Sequence, residues 1–307
     1  MADNGRQGRQ RGFVVSAKPL LLIVDAVLSL PSEVLTNKRV IVLPRQFRVG
    51  KESLTYDQQR PLAHQRWSAH THGSAQPAPV SYPAFLHYVN QLLDAQYAIL
   101  TLHLPETFDA NAHQATIARR FVNSEDIAVA QIPALSLGAT YIAERLAWFC
   151  KQPDVSLGQA VAFFNWLVAH LETILIDGGH DLPFITSSAS TINQWQARLR
   201  SKLRLSLFDK HLLTFTAIGY TSLPDLEMTA LQPWLRLDRP QEVLLKGNFD
   251  DPVFAKLKQT LPALNLTTNG TQDPGLETWY MPQRFLELCL APDKMEIQRV
   301  AKRLLRG

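Results

Sequence analysis

Two acids and a scatter of histidines are the side chains of this sequence that could do chemistry. Asp25 ends the apolar run LLLIVD, and the carboxyl end of such a strand is where an open α/β sheet usually places its ligand. Glu106 follows the apolar segment YAILTLHLP, where a solvated loop carboxylate is expected. Either acid would do catalytic work only with its pKa perturbed in a closed cleft. His64, His70 and His72 share one loop with Arg60 and Arg66, and the H-x-H spacing can turn two imidazoles toward one metal. No neighbouring Cys or Asp completes a ligand set, so the loop is read as solvated and no metal is expected. His103, at a strand end, is read as a packed, hydrogen-bonded residue. G-x-S-x-G, the P-loop, G-x-G-x-x-G and H-E-x-x-H are all missing, which argues against an enzyme.

A chain of 307 residues with 46% apolar and 19% charged residues can bury a sizeable core. The formal charge of +4 is weighted to the start, where Arg6, Arg9, Arg11 and Lys18 face only Asp3, and that is too little for a nucleic-acid surface. Cys150 and Cys289 fall in segments read as helices and are expected to be small buried hydrophobes in a reducing cytoplasm. Lys18, Pro19 and Asp25 break the apolar stretch Phe13 to Leu30 into runs too short for a signal peptide, and no later run reaches the ~18 residues of a transmembrane span. Without secretion, the glycosylation patterns at Asn265 and Asn269 are idle.

Strand-like and helix-like segments alternate along the first half. Strands are expected at the run ending in Asp25, at Arg39 to Pro44, at Tyr97 to Leu104 and at Ile127 to Ala134. Helices are expected at Pro31 to Thr36, Val80 to Ala95, Asn111 to Phe121, Leu137 to Cys150 and Ser156 to Ile174, and Gly50-Lys51 marks a hairpin. That alternation implies a parallel sheet. Beyond Gly178 strands are expected in HLLTFTAIGY, EVLLKGN and Leu264 to Thr268, with a helix at Asp251 to Leu261 and a closing pair of helices from Pro282. In the last of these, Ile297, Val300, Ala301 and Leu304 form an apolar stripe beside Lys294, Arg299, Lys302, Arg303 and Arg306. Docking on the core with a solvated basic face is the expectation, and membrane-surface contact the alternative.

DAVLSLP, VLP, VGKESLTYD, SAQPA, LHLPETFDAN and IPALSLGAT follow one another in an order that resembles that of the DegV family of lipid-binding proteins. DAVLSLP at Asp25 to Pro31 is similar to the family's DSTADLP box, VLP at Val42 to Pro44 to its VPL, and VGKESLTYD at Val49 to Asp57 to its DGKEYRD hairpin. SAQPA at Ser74 to Ala78 resembles the TSQPS loop. LHLPETFDAN at Leu102 to Asn111 stands where the family has HISSGLSGT, and IPALSLGAT at Ile132 to Thr140 where it has DSRSVSLGLG. NGTQDPG at Asn269 to Gly275 looks like a shortened GTHTGPG.

The resemblance implies an α/β chain of two domains: residues 1–18 a flexible basic arm, residues 19–177 a Rossmann-like parallel-sheet domain, and residues 178–307 a second α/β domain with a mixed sheet. It implies a fatty acid as ligand, buried in the first domain with its carboxylate held between the two, no cofactor, and presentation of the ligand to a fatty acid kinase. The implied ligand-binding residues are Ser74, Gln76, His103, Glu106, Thr271 and Gln272. Ser74 keeps the family's first hydroxyl, whereas Glu106 replaces a serine and Gln272 the histidine. A carboxylate at 106 would repel an ionised head, and Thr107, Phe108, Asp109 and Ala110 replace the small residues that admit close backbone approach. Three readings stay open: a lipid site with altered head recognition, a site for an amide, alcohol or cation, and a ligand-free interaction module on the same fold. An interior filled by Phe85, Phe121 or Trp148 would favour the last.

Overall fold

The structure is a computed structural model, and it describes residues 18–26, 28, 30–49, 52–56, 75–134, 136–177, 185–186, 203–221, 241–247, 266–268 and 285–306. The first half builds a four-stranded sheet in the order β2-β1-β6-β7 from β1 (Leu20–Asp25), β2 (Val40–Leu43), β6 (Ala98–His103) and β7 (Ile127–Gln131), with every pair parallel. Both faces of β1 and β6 are covered, which is why their sequences are unbroken apolar runs. Residues alternate between the faces. Ile23 and Ile99 join the cluster under α2 (Tyr82–Asp94) and α3 (Ala110–Phe121), including Phe85, Val89, Ala115 and Ala118. Leu22, Val24, Leu100 and Leu102 face the larger core with α4 (Ser136–Cys150) and α5 (Leu157–His170).

Between β2 and α2 the chain makes the expected hairpin, β3 (Arg45–Val49) with β4 (Glu52–Tyr56), and β5 (Ala75–Ala78) pairs with β3. α1 (Ser32–Leu35) is a single turn after Pro31. A seven-stranded mixed sheet follows, in the order β13-β12-β14-β8-β10-β11-β9. It comprises β8 (Glu172–Asp177), β9 (Ile185–Thr186), β10 (Leu203–Asp209), β11 (Thr214–Thr221), β12 (Gln241–Gly247), β13 (Leu266–Thr268) and β14 (Phe285–Pro292). β13 and β9 run parallel to their neighbours, and the pairs between them are antiparallel. α5 packs on β6 and β7 on one side and on β14 on the other, so a helical layer is shared by the two sheets. Leu244, Cys289 and Ala291 of the second sheet belong to the same core cluster as Leu22 and Phe163.

Three expectations change. FLELCLAP is the central strand β14 and not the first of two closing helices; burial on both faces leaves it no polar alternation to betray it. Cys289 is therefore a strand residue, whereas Cys150 is helical as read. The helix from Ser156 ends at His170, and LETILID turns into β8, so the second sheet begins one strand ahead of Gly178. Ser156 and Gln159 close a capping box at the start of α5, which the S-x-x-Q spacing announces. Residues 1–17 of the arm and the helix expected at Asp251 to Leu261 lie outside the described residues, whereas Lys18 pairs with Asp126 at 2.6 Å.

The last helix, α6 (Lys294–Arg306), docks on α5 through Ile297, Val300 and Ala301, all buried. Gln159 Nε2 donates to the Leu304 carbonyl at 2.8 Å and ties its end down. Both cysteines are free and fully buried, and burial pushes the Cys150 thiol up to about 12, so neither is a reactive thiolate. Among the described residues no helix is long and apolar enough to cross a membrane.

Candidate functional site

β1 and β6 are adjacent central strands whose connections leave in opposite directions across the sheet, toward β2 and toward β7. The crevice outside their carboxyl ends is thus the topological switch point of this domain. Asp25 is the last residue of β1 and His103 the last of β6, and the register Val24 to Leu102 brings the two side by side. Two residues beyond Ile23 and Ile99 and four beyond, respectively, both side chains fall on the α2–α3 face. His103 meets the ring of Phe85 edge-on, with centroids 5.8 Å apart.

α3 begins at this edge. Asp109 is its N-cap, accepting from the Asn111 backbone N–H at 2.9 Å. That cap aims Asn111, whose Nδ2 donates to Asp25 Oδ2 at 2.5 Å while its Oδ1 accepts from the Val80 N–H at 2.9 Å. Asn111 thereby joins the end of β1 to the chain leaving β5. Asp25, His103, Asp109 and Asn111 are all buried, His103 to 1% exposure. His103 Nδ1 stands 3.8 Å from Asp25 Oδ2, too far for a hydrogen bond. Among the described residues neither ring nitrogen of His103 has a hydrogen-bond partner. A buried polar group in that state costs about 1–3 kcal/mol, so the imidazole holds bonding capacity for a group arriving at this edge. The expectation of a hydrogen-bonded His103 is corrected on this point; its burial is as expected.

Glu106 lies in the turn between β6 and α3 and points outward. Its carboxylate is 44% exposed and sits 3.1 Å from His113 Nδ1 on α3, while its N–H donates to Gln131 Oε1 at 3.1 Å. The anticipated repulsion of an anionic head is therefore screened by solvent. The rest of that turn reaches the second sheet. Thr107 Oγ1 donates to the Leu213 carbonyl at 2.5 Å, and Phe108 stacks on Phe208 with centroids 6.1 Å apart. Leu213 has φ 50°, a left-handed conformation at the tip of the β10–β11 hairpin, which Asp209 braces by accepting from the His211 and Leu212 N–H groups. Where small residues would admit a ligand, these two contacts bolt the sheets together.

A second joint lies at the start of α4. Glu287 of β14, fully buried, accepts from the Leu137 N–H at 2.9 Å and the Gly138 N–H at 3.4 Å. Its charge meets the positive end of the helix. Tyr141 Oη donates to the Pro292 carbonyl at 2.8 Å, and burial pushes its phenol up to about 12. Neither Asn111 nor Glu287 is among the residues singled out from sequence. The D-x-N at a helix start is a readable capping signal for the first, whereas the second was hidden by reading its strand as a helix.

Of the residues named from sequence, the structure brings His103 to the switch point and places Glu106 on its rim. Gln76 sits in β5 opposite Arg48 of β3, and the register is all that is described of it. Ser74, Thr271, Gln272 and the loop holding His64, His70 and His72 lie outside the described residues. Among the described residues no group of three metal-binding side chains occurs. Phe85 is buried, whereas Phe121 is 66% exposed and Trp148 37%, so of the three only Phe85 fills the interior.

No family model matches the sequence, and no curated protein matches it at a significant level. Solved structures do match, along nearly their whole length. A fatty acid binding DegV family protein of Streptococcus agalactiae superposes with a TM-score of 0.68 at 12% identity, covering 91% of this chain and 100% of its own. A stearic acid-binding protein of Eubacterium ventriosum gives 0.65 at 12% identity, over 88% and 97%. The Fatty Acid Kinase (Fak) B3 protein of Streptococcus pneumoniae, loaded with linoleic acid, gives 0.63 at 11% identity, over 89% and 99%. The chain has the fold of these DegV proteins.

Proposed function

We propose that this chain, built on the DegV fold, is a lipid carrier that binds a fatty acid and presents it to a partner kinase, with no catalytic step of its own. The observation that carries the reading is the end-to-end match to proteins described as binding stearic or linoleic acid, one of them a fatty acid kinase component. The geometry adds His103, a buried imidazole with uncommitted nitrogens at the switch point. It also removes an objection, because Glu106 pairs outward with His113. On this reading His103 contacts the head group, Ser74, Gln76, Thr271 and Gln272 complete its polar shell, and Glu106 flanks the entrance. Each methylene of the tail buried in the first domain contributes about 0.8 kcal/mol.

The ligand-free interaction module is the second reading, and the Phe108–Phe208 stack with the Thr107–Leu213 bond favours it, since both close the turn through which a head group would be approached. Native mass spectrometry of the protein purified from cells separates the two. A carrier shows an added acyl mass, exchangeable for added oleate. A bare mass that oleate does not change overturns the carrier reading and leaves the interaction module.

A further inference from the structure

Helix α6 has five cations, Lys294, Arg299, Lys302, Arg303 and Arg306, against the single carboxylate Glu296, an excess equal to the formal +4 of the whole chain. All five are exposed, and among the described residues none of them forms an ion pair. At ~100° per residue, Ile297, Val300, Ala301 and Leu304 fall on one side of the helix. Met295, Arg299, Lys302 and Arg306 fall on the opposite side, within ~60° of one another, with Arg303 beside them. The first side is packed on α5, so the second is held outward as a rigid, convex row ~16 Å long. At its end stands Met295, an apolar side chain 69% exposed.

We infer that this face of α6 docks the protein on an anionic lipid surface. A cluster of four to eight cations on one helix face is the pattern that anionic bilayers attract. A convex row with no converging forks suits a plane of spread charge better than one discrete phosphate, which calls for cations that close around it. A flexible methionine in the same stripe gains by entering the acyl boundary and has nothing to gain from a phosphate backbone. The helix also lacks the aromatic side chains on which nucleic-acid bases would stack. The surface is electrostatic first and apolar second, because the hydrophobic stripe of α6 is already spent on the core. The inference stands on α6 alone and holds whether or not an acyl chain is carried.

The test is co-sedimentation of the full chain with vesicles of phosphatidylglycerol and phosphatidylcholine, against phosphatidylcholine alone, at low and high salt. Binding is expected to the anionic vesicles only and to fall steeply with salt. Each cation near the surface is worth about a fivefold gain in partitioning, so Arg299→Gln, Lys302→Gln and Arg306→Gln together weaken binding about 100-fold, with the thermal melt unchanged because all three are solvated. Met295→Ala should weaken it a fewfold without altering the salt dependence. Failure to bind anionic vesicles, binding that the triple variant retains, or tighter binding to a short RNA duplex that displaces the vesicles overturns the inference.

Discussion

Replacing Asn111 with alanine removes two hydrogen bonds at once and tests whether the switch-point cluster is built as described. The bond to the buried Asp25 carboxylate involves a charged group and contributes about 1.5–3 kcal/mol; the neutral bond from the Val80 N–H contributes about 1 kcal/mol. The cap of α3 survives, because Asp109 accepts from the Asn111 backbone and not its side chain. Asn111→Ala should thus cost about 3 kcal/mol, a large share of the ~5–15 kcal/mol that holds a typical domain folded. Urea denaturation reads it as a lower midpoint at constant slope. A double-mutant cycle with Asp25→Asn isolates the pair, with a coupling of about 2 kcal/mol expected. Asn111→Asp is the sharper companion, since it sets a second carboxylate against Asp25 and one of the two must then hold a proton. That variant should be weakest at neutral pH and recover on acidification. A loss below about 1 kcal/mol for Asn111→Ala, with no coupling to Asp25, would refute the account of Asn111 as the link between β1, β5 and α3.

Two further substitutions probe the joint between the sheets and the surface beside it. A Cβ at Gly138 would stand 2.8 Å from Ala134 Cβ and 3.2 Å from both Cys289 Sγ and Leu171 Cδ2. Gly138→Ala should therefore destabilise by about 1–3 kcal/mol despite alanine's better helix propensity, and adding Cys289→Ala should recover only part, as thermal melts would show. Burial raises the Glu144 carboxyl above its ordinary 4.5, with Arg145 opposing and Glu242 and Glu33 adding to the rise. A raised carboxyl pKa favours the folded state below 4.5, and this contribution is lost as pH climbs through the folded value. Glu144→Gln should accordingly stabilise at neutral pH and lose that advantage in acid; equal effects at both pH values would refute the assignment.

The four-stranded parallel sheet was legible from residue order alone. LLLIVD, VIVL, AILTLH and IAVAQ could be read as buried parallel strands because burial on both faces demands unbroken apolar runs, and the helices between them follow from 3.6-residue periodicity. The ordered boxes from Asp25 to Thr140 carried the likeness to DegV proteins at a level of identity, 12%, where no family model responds. The mixed second sheet was legible only in part. FLELCLAP and LETILID are short apolar runs whose periodicity fits strand and helix alike, and only their placement at the centre of a seven-stranded sheet decides between them. The site divided in the same way. Asp25 and His103 could be found at strand ends, but that they stand 3.8 Å apart follows from the pairing of β1 with β6, which joins residues 78 positions apart in sequence. The outward turn of Glu106 likewise rests on His113, one helical turn into α3. Residue types and spacing set which groups are available; the long-range pairing of strands decides which of them meet.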